Sequence, residues 1–198
     1  MSARCDYFYR VEFQQRGSPH IHGLFWIKDA PQYEKDSNED VAAFVDKFIT
    51  CYKPNSSGDM ENLVNLQMHR HAKTCKRSGN NIHVCRFNFP LPPMPTTIIL
   101  KQLERSFHDD KESKLIKENS EKIKQVLDDI KYGEDITFED FLKKLGLTEE
   151  SYLLAIRNTL KHDTLFLKRS PSEIRINNII TMLTYSKPGK QTWTCSMC

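Results

Sequence analysis

The chain reads QQRGSPHIHGLFWI from Gln14 to Ile27, directly after the aromatic run YFYRVEF at residues 7–13. Aromatic and β-branched residues dominate residues 7–13 and recur in the apolar run at residues 21–27, which is typical of β-strands. Between them, the segment at residues 16–19 contains glycine, serine and proline, which favour turns. The pattern therefore predicts a β-hairpin with a turn at this segment.

Two histidines flank one apolar residue at the start of the second predicted strand. Side chains alternate between the two faces of a strand, so His20 and His22 are expected on one face, with Ile21 pointing into the core. Two imidazoles side by side on a rigid strand form half of a divalent-metal site.

The register of the hairpin decides which polar side chain of the first strand lies beside these histidines. A turn of about four residues would pair Gln15 with His20, whereas a turn of about five would pair Gln14 with His20 and Glu12 with His22. Both registers are open from the residues alone.

Three sequence blocks carry a family resemblance. They are EFQQRGSPHIH at residues 12–22, CRFNFP at residues 85–90 and KRSPSEIRINN at residues 168–178. In these blocks and in their order, the chain resembles the Rep-like domain of Helitron transposases, usually labelled Helitron helicase-like, in the HUH endonuclease superfamily. The resemblance covers most of residues 7–178, and three ordered blocks are far more specific than a lone His-x-His pair.

The resemblance implies an α+β fold, with an antiparallel sheet that carries the HUH hairpin and with helices around it. HUH endonucleases cleave and rejoin single-stranded DNA in rolling-circle transposition through a tyrosine that attacks a phosphodiester. A divalent ion polarises the phosphate for that attack. The implied cofactor is Mg²⁺ or Mn²⁺, and the implied ligands are His20, His22, Glu12 and Gln14.

The chain departs from the family pattern after Asn178. In the family a tyrosine pair follows on a helix, whereas Tyr185 is the only tyrosine after this point and belongs to no matching motif. We expect a partial Helitron helicase-like domain at residues 1–178, truncated at both ends relative to the family. A divergent, irregular tail is expected at residues 179–198. No catalytic residue is assigned, and the chain alone is expected to be inactive.

A second candidate metal site lies in the Cys/His-rich segment at residues 69–90. His69, His71, Cys75 and Cys85 are ligand types that zinc prefers, and they surround a polar turn. A helix end, a loop of about ten residues and a return strand would bring the two pairs together around a structural Zn²⁺ ion. In the alternative, both cysteines are small core residues and both histidines lie on a basic surface.

Basic residues near these segments are candidates for sequence-independent contacts with the phosphates of single-stranded DNA. They are Arg16, Lys73, Lys76, Arg77, Arg86, Lys168 and Arg169. Tyr7, Tyr9 and Trp26 are candidates for stacking on bases. Alternating aromatic residues on strands more often fill a core, so Phe87 and Phe89 are expected to be buried.

Between the second and third blocks, the sequence predicts a helical insertion at about residues 100–162. Its first part, residues 100–130, is charged and predicts one or two surface helices. Thr137 and Thr148 are predicted N-caps of two further helices, and Gly146 is predicted to end the first of these.

The composition of the chain excludes several protein classes. The chain has 198 residues, of which 28% are charged, and a formal net charge of +3, so its charge does not by itself indicate nucleic-acid binding. No apolar run approaches the roughly 20 residues of a membrane span, and no signal peptide is recognisable.

Thr184 lies where a Walker A motif needs its first glycine, so no nucleotide cofactor is expected. Six cysteines in such a chain fit intracellular thiols or metal ligands, and we expect a nuclear protein.

Three functional hypotheses follow. The first is a fragment of a Helitron-type HUH endonuclease and strand transferase that lacks its nucleophile. The second is a non-catalytic zinc- and DNA-binding module. The third is the product of a decayed transposon, without a function of its own.

Overall fold

The structure is a computed structural model, and it describes most of the chain. Described are residues 5–13, 19–51, 62, 64–65, 68–72, 75–79, 82–85, 87–103, 110–130, 134, 136–176, 179–180 and 193–195. Of these, residues 5, 19–21, 76–79, 82–84, 110, 179–180 and 193–195 are described by their backbone alone. The chain divides into two compact units: residues 1–49 with 180–198, and residues 50–179.

The elements confirm the predicted mixture of helices and small sheets. The helices are α1 (Asn38–Asp46), α2 (Asp110–Asp129), α3 (Phe138–Leu145) and α4 (Glu149–Thr159), with a short 3-10 helix at Pro171–Glu173. The strands are β1 (Cys5–Phe13), β2 (Pro19–Ile27), β3 (Ile49–Thr50), β4 (Lys76–Gly79), β5 (Ile82–Cys85), β6 (Ile98–Leu100), β7 (Thr164–Phe166), β8 (Ile179–Ile180) and β9 (Trp193–Cys195). They pair in the orders β1-β2-β9, β3-β8, β4-β5 and β6-β7.

The predicted hairpin is present, but its register is neither of the two considered. β1 and β2 pair without interruption from Cys5 opposite Ile27 to Phe13 opposite Pro19, which places Glu12 opposite His20. Both predicted registers had left Pro19 in the turn. Proline is tolerated as the first residue of a strand, because no partner there needs its missing amide donor. In the observed register Glu12 pairs with His20, two residues before His22. A shift of two residues keeps the same side chains on the same face, so Glu12 still shares a face with His20 and His22.

The segment at residues 179–198 was expected to be an irregular tail, and two parts of it are strands instead. β9 pairs antiparallel with β2, with Trp193 opposite Phe25 and Cys195 opposite Gly23. Ile179 and Ile180 form β8. The rest of this segment, including Tyr185, lies outside the described residues.

The core of the second unit is built by α2, α3 and α4. Its buried side chains come from all three helices and from the flanking segments: Met94, Leu100, Ile123, Leu127, Ile130, Phe141, Leu145, Tyr152, Ala155, Ile156 and Ile174. Tyr152 is fully buried, and its hydroxyl donates a hydrogen bond to the carbonyl of Pro93 at 2.8 Å. The helix α2 contributes one apolar stripe, with Ile116, Ile123 and Leu127 buried, and exposes most of its other side chains, so it is a surface helix as the sequence predicts.

The helix boundaries in this core follow the predicted signals. The hydroxyl of Thr137 accepts a hydrogen bond from the amide of Asp140 at 3.1 Å, and the hydroxyl of Thr148 accepts one from Ser151 at 3.2 Å. Gly146 ends α3 in the left-handed conformation, with φ of 62°. Within the described residues, no helix combines the length and the apolar character needed to cross a membrane.

Candidate metal centre

Four side chains in the second unit converge on one point. Their ligand atoms, two histidine nitrogens and two cysteine sulfurs, all lie within 4.8 Å of one another, and the residues are His69, His71, Cys75 and Cys85. The Nε2 atom of His69 is 3.3 Å from the Nδ1 atom of His71 and 3.3 Å from the Sγ atom of Cys85. The Sγ atom of Cys75 is 3.6 Å from the Nδ1 atom of His71. This group, the Cys/His cluster, could hold one metal ion.

The backbone on either side of the cluster explains how distant residues meet. The two histidines follow a bridge between Met68 and Ile176, and the amide of His69 donates to the carbonyl of Arg175 at 2.7 Å. Residues 69–72 are irregular, so the histidines do not lie on a helix end as the sequence analysis expected. The two imidazoles nevertheless lie side by side, with ring centroids 4.9 Å apart.

The two cysteines meet because they flank a second, smaller hairpin. Cys75 precedes β4 and Cys85 ends β5, and Lys76 pairs with Cys85 in their antiparallel register. The amide of Ala72 donates to the Sγ atom of Cys75 at 3.2 Å. The Sγ atom of Cys75 also donates to the carbonyl of Ala72 at 3.1 Å, so the backbone of one residue holds this sulfur in place.

An aromatic wall covers the cluster on the His69 side. The ring of Phe89 stacks on the His69 imidazole with centroids 4.5 Å apart and planes at 10°, and Phe87 meets it edge-on at 5.7 Å. Asn88 lies between them with φ of 58°, a left-handed conformation that asparagine tolerates. Phe89 is buried as predicted, whereas Phe87 is 39% exposed, so its prediction as a core residue was wrong. The sharp turn at Asn88 breaks the strand alternation on which that prediction relied.

Burial lowers the pKa of His69, and the neighbouring His71 and Arg175 lower it further. A lowered pKa keeps the imidazole neutral, which is the form that donates a lone pair to a metal. Cys75 and Cys85 are buried free thiols. Their burial alone fits the small-core-residue alternative, but the two imidazole nitrogens within reach of both sulfurs favour a ligand set.

The second predicted site lies on the β1–β2 hairpin, and the structure describes part of it. The Oε2 atom of Glu12 is 3.3 Å from the Nε2 atom of His22, and its Oε1 atom is 3.3 Å from the Nε atom of Arg10. The backbone places His20 opposite Glu12 and Arg10 opposite His22. The side chain of His20 and all of Gln14 lie outside the described residues. Glutamate and imidazole therefore share one sheet face, as metal binding requires.

Arg10 is a member of this group that the sequence analysis missed. It lies two residues before Glu12 on the same strand, and that alternation was a sufficient signal for placing both on one face. Its guanidinium holds one carboxylate oxygen of Glu12 and leaves the other toward His22.

One predicted DNA contact is contradicted by the structure. Arg169 is only 3% exposed, and its guanidinium donates to the carbonyls of Glu173 and Ile176. Its backbone pairs with Met94 in both directions at 2.9 Å. A buried guanidinium that bonds internal carbonyls cannot reach a phosphate, so Arg169 is a structural residue. Burial lowers its pKa, and the nearby Cys51 and Glu173 oppose that shift.

The other predicted DNA contacts keep their status as predictions. Lys168 is exposed, which leaves its ammonium accessible to a phosphate. The side chains of Arg16, Lys73, Lys76, Arg77 and Arg86 lie outside the described residues.

Comparison with protein-family models, with curated proteins and with solved structures finds no match to this chain.

Proposed function

We propose that this chain is a zinc-centred module that binds single-stranded DNA and carries the metal hairpin of an HUH endonuclease without its nucleophile. The observation that supports the proposal most strongly is the Cys/His cluster, because four ligand atoms from two distant segments meet at one point. The DNA-binding part rests on the resemblance in the three sequence blocks and on the Glu12–His22 pair.

The distances within the cluster support zinc as its occupant. Around a tetrahedral zinc ion with bonds of about 2.05 Å to nitrogen and 2.3 Å to sulfur, two nitrogens lie about 3.3 Å apart and nitrogen lies about 3.5 Å from sulfur. The nitrogen–nitrogen distance in the cluster is 3.3 Å, and two of its four nitrogen–sulfur distances are 3.3 and 3.6 Å. Ions such as Mg²⁺ and Mn²⁺ prefer oxygen ligands, so two thiolates select against them.

Elemental analysis tests the zinc assignment. Protein purified without chelators is expected to contain about one zinc per chain. A strong chelator is expected to remove the zinc and thereby to unfold the protein. Fully folded protein without zinc would contradict the assignment.

The hairpin is proposed to hold Mg²⁺ or Mn²⁺ through His20, His22 and Glu12, with Gln14 as a further oxygen ligand. Imidazole and carboxylate together suit such ions. In HUH chemistry the ion polarises the phosphate of the scissile bond. Arg10 would orient Glu12, because its guanidinium fixes one of the two carboxylate oxygens.

Titration calorimetry with Mn²⁺ on zinc-loaded protein tests this second site. The wild type is expected to bind one Mn²⁺ ion, and the double variant His20→Ala/His22→Ala is expected to bind none. The matched control is His162→Ala, which removes an exposed histidine far along the chain. Equal Mn²⁺ binding by the wild type and the double variant would rule out the hairpin site.

Single-stranded DNA binding is tested by fluorescence anisotropy with labelled oligonucleotides at several salt concentrations. We expect preference for single strands over duplex and affinity that falls with salt, because lysine contacts with phosphates release counterions. Lys168→Ala is expected to weaken binding several-fold. Salt-independent binding, or no binding at low salt, would exclude the DNA-binding role.

Covalent chemistry is expected to be absent. Nicking requires a nucleophile about 3 Å from the polarised phosphate and in line with the leaving oxygen. No tyrosine of the family motif follows Asn178 in this sequence. A denaturing gel with labelled single-stranded DNA and Mn²⁺ should show no protein–DNA adduct. An adduct that disappears in Tyr185→Phe would instead identify Tyr185 as a nucleophile.

A further inference from the structure

The strand β1 is an unusual sheet edge. In the described sheet, whose order is β1-β2-β9, β1 has a neighbour on its β2 side only. Its register with β2 contains no bulge, and the strand CDYFYRVEF contains no proline; its protection is limited to the charges of Asp6, Arg10 and Glu12. Natural proteins protect edge strands with such features, because an open edge is a template for another strand.

Large apolar side chains on β1 are also exposed on both faces. Phe8 is 59% exposed on one face, and Tyr9 is 55% exposed on the other. Tyr7, Val11 and Phe13 are exposed as well. A contiguous exposed apolar surface along an open edge marks an interaction site.

We propose that β1 pairs antiparallel with β1 of a second copy of this chain, which joins the two hairpins into one continuous sheet. A symmetric dimer of this kind has a two-fold axis perpendicular to the sheet. Directly opposed residues then have their side chains on the same face of the sheet. Even-numbered residues therefore pair with even-numbered ones, and odd-numbered with odd-numbered ones.

The charges of β1 select among the registers that this symmetry allows. Placing Glu12 opposite Asp6, or Arg10 opposite its own copy, brings like charges together, which destabilises strand pairs. Within β1, only two symmetric registers bring opposite charges together. One places Asp6 opposite Arg10, and the other places Arg10 opposite Glu12.

The register with Asp6 opposite Arg10 pairs the longer part of the strand. It aligns residues 5–11 of each copy, with two Asp6–Arg10 ion pairs and two Tyr7–Tyr9 contacts related by the axis. Phe8 lies at the axis, opposite its own copy, on the face of the ion pairs. Both faces are therefore complementary, the charged one and the aromatic one.

The alternative register is shorter. It aligns residues 9–13, with Val11 at the axis, and pairs Arg10 with Glu12 of the other copy. Arg10 contacts Glu12 within one chain at 3.3 Å and takes a second carboxylate in either register, so the length of the paired segment decides between them. The Asp6–Arg10 register is the one we propose.

Sedimentation equilibrium of the full chain tests the proposal first. The wild type is expected to dimerise with increasing concentration, and Asp6→Arg is expected to weaken the dimer by about tenfold or more, because both ion pairs become repulsive. The charge-swapped variant Asp6→Arg/Arg10→Asp is expected to restore it. A wild type that stays monomeric up to millimolar concentration, or a dimer that is unaffected by Asp6→Arg, would overturn the proposal.

Disulfide cross-linking tests the register. Directly opposed residues of an antiparallel pair have Cα atoms about 4.5–5.5 Å apart, which a disulfide can span. Cys5 lies opposite Val11 in the proposed register, so the test uses a Cys5→Ser background. In that background, Phe8→Cys is expected to form a covalent dimer on a non-reducing gel, whereas Val11→Cys and the Cys5→Ser variant itself are not. Cross-linking of Val11→Cys without that of Phe8→Cys would contradict the proposed register.

Discussion

The same spacing, two histidines separated by one residue, occurs in two regions with different surroundings. His69 and His71 lie on irregular backbone, meet two buried cysteines and are backed by Phe89. His20 and His22 lie on β2, the central strand of the β1-β2-β9 sheet, where the described part of their site contains Glu12 and Arg10 at a half-exposed surface. Spacing alone therefore does not distinguish a structural centre from a surface site.

The Cys/His cluster and the hairpin group differ in their ligand types and in the burial of the two cysteines. Thiolates and imidazoles together, in a cluster whose two cysteines are buried, bind a metal strongly and couple it to folding. Carboxylate and imidazole at a half-exposed sheet surface bind a hard ion weakly enough for exchange, which suits the proposed role of admitting a DNA phosphate. We therefore expect the two regions to respond in opposite ways to the same kind of substitution.

The largest effect is expected for the cysteine ligands. Cys75→Ser/Cys85→Ser removes both thiolates, and structural zinc contributes on the order of 10 kcal/mol to folding, comparable to the whole stability of a domain. We expect no zinc and no cooperative thermal transition by calorimetry. The matched control is Cys51→Ser, because this buried thiol donates to the carbonyl of Lys168 and is not a ligand. A folded double variant would contradict the coupling.

Phe89→Ala is expected to have the next largest effect. Removing the ring that stacks on His69 leaves a cavity beside the cluster and costs about 3–5 kcal/mol in unfolding free energy. Phe87→Ala, the control two residues away, removes an exposed ring and is expected to cost less than about 1 kcal/mol. Denaturant unfolding of both zinc-loaded variants measures the difference, and equal losses would show that the stacked ring has no special role.

Arg169→Met should cost about 2–3 kcal/mol, because the carbonyls of Glu173 and Ile176 lose their buried donor. Lys168→Ala, the exposed neighbour, is expected to change stability by no more than about 0.5 kcal/mol. Unfolding free energies and DNA affinities of both variants separate the structural residue from the candidate DNA contact. Unchanged stability with weakened DNA binding in Arg169→Met would restore the original prediction for Arg169.

The smallest effect on folding is expected at the hairpin. His22→Ala should leave zinc content unchanged and shift the unfolding free energy by about 0.5 kcal/mol or less, because the side chain is half exposed. Calorimetric Mn²⁺ binding is expected to be lost in the same variant. A fall in zinc content would mean that the two metal regions are not independent.

The sequence was sufficient for features that depend on local patterns. Strand alternation predicted the hairpin, and the cap residues Thr137, Gly146 and Thr148 predicted helix ends that the structure confirms. The cluster was predicted from ligand chemistry, and the structure brings its four candidate residues together.

Features that depend on tertiary context were not predictable. The hairpin register shifted because Pro19 is accepted at a strand start. Arg169 was predicted as a DNA contact, and only the fold provides the internal carbonyls that accept its hydrogen bonds. Phe87 is exposed because Asn88 turns the chain after Cys85.

X-ray absorption at the zinc edge of the purified protein tests the central claim most directly. We predict a shell of two sulfurs at about 2.3 Å and two nitrogens at about 2.0 Å, which only the Cys/His cluster supplies among the described residues. In Cys85→Ser the sulfur count should fall to one or the zinc should be lost. A shell of nitrogen and oxygen alone in the wild type would contradict the account.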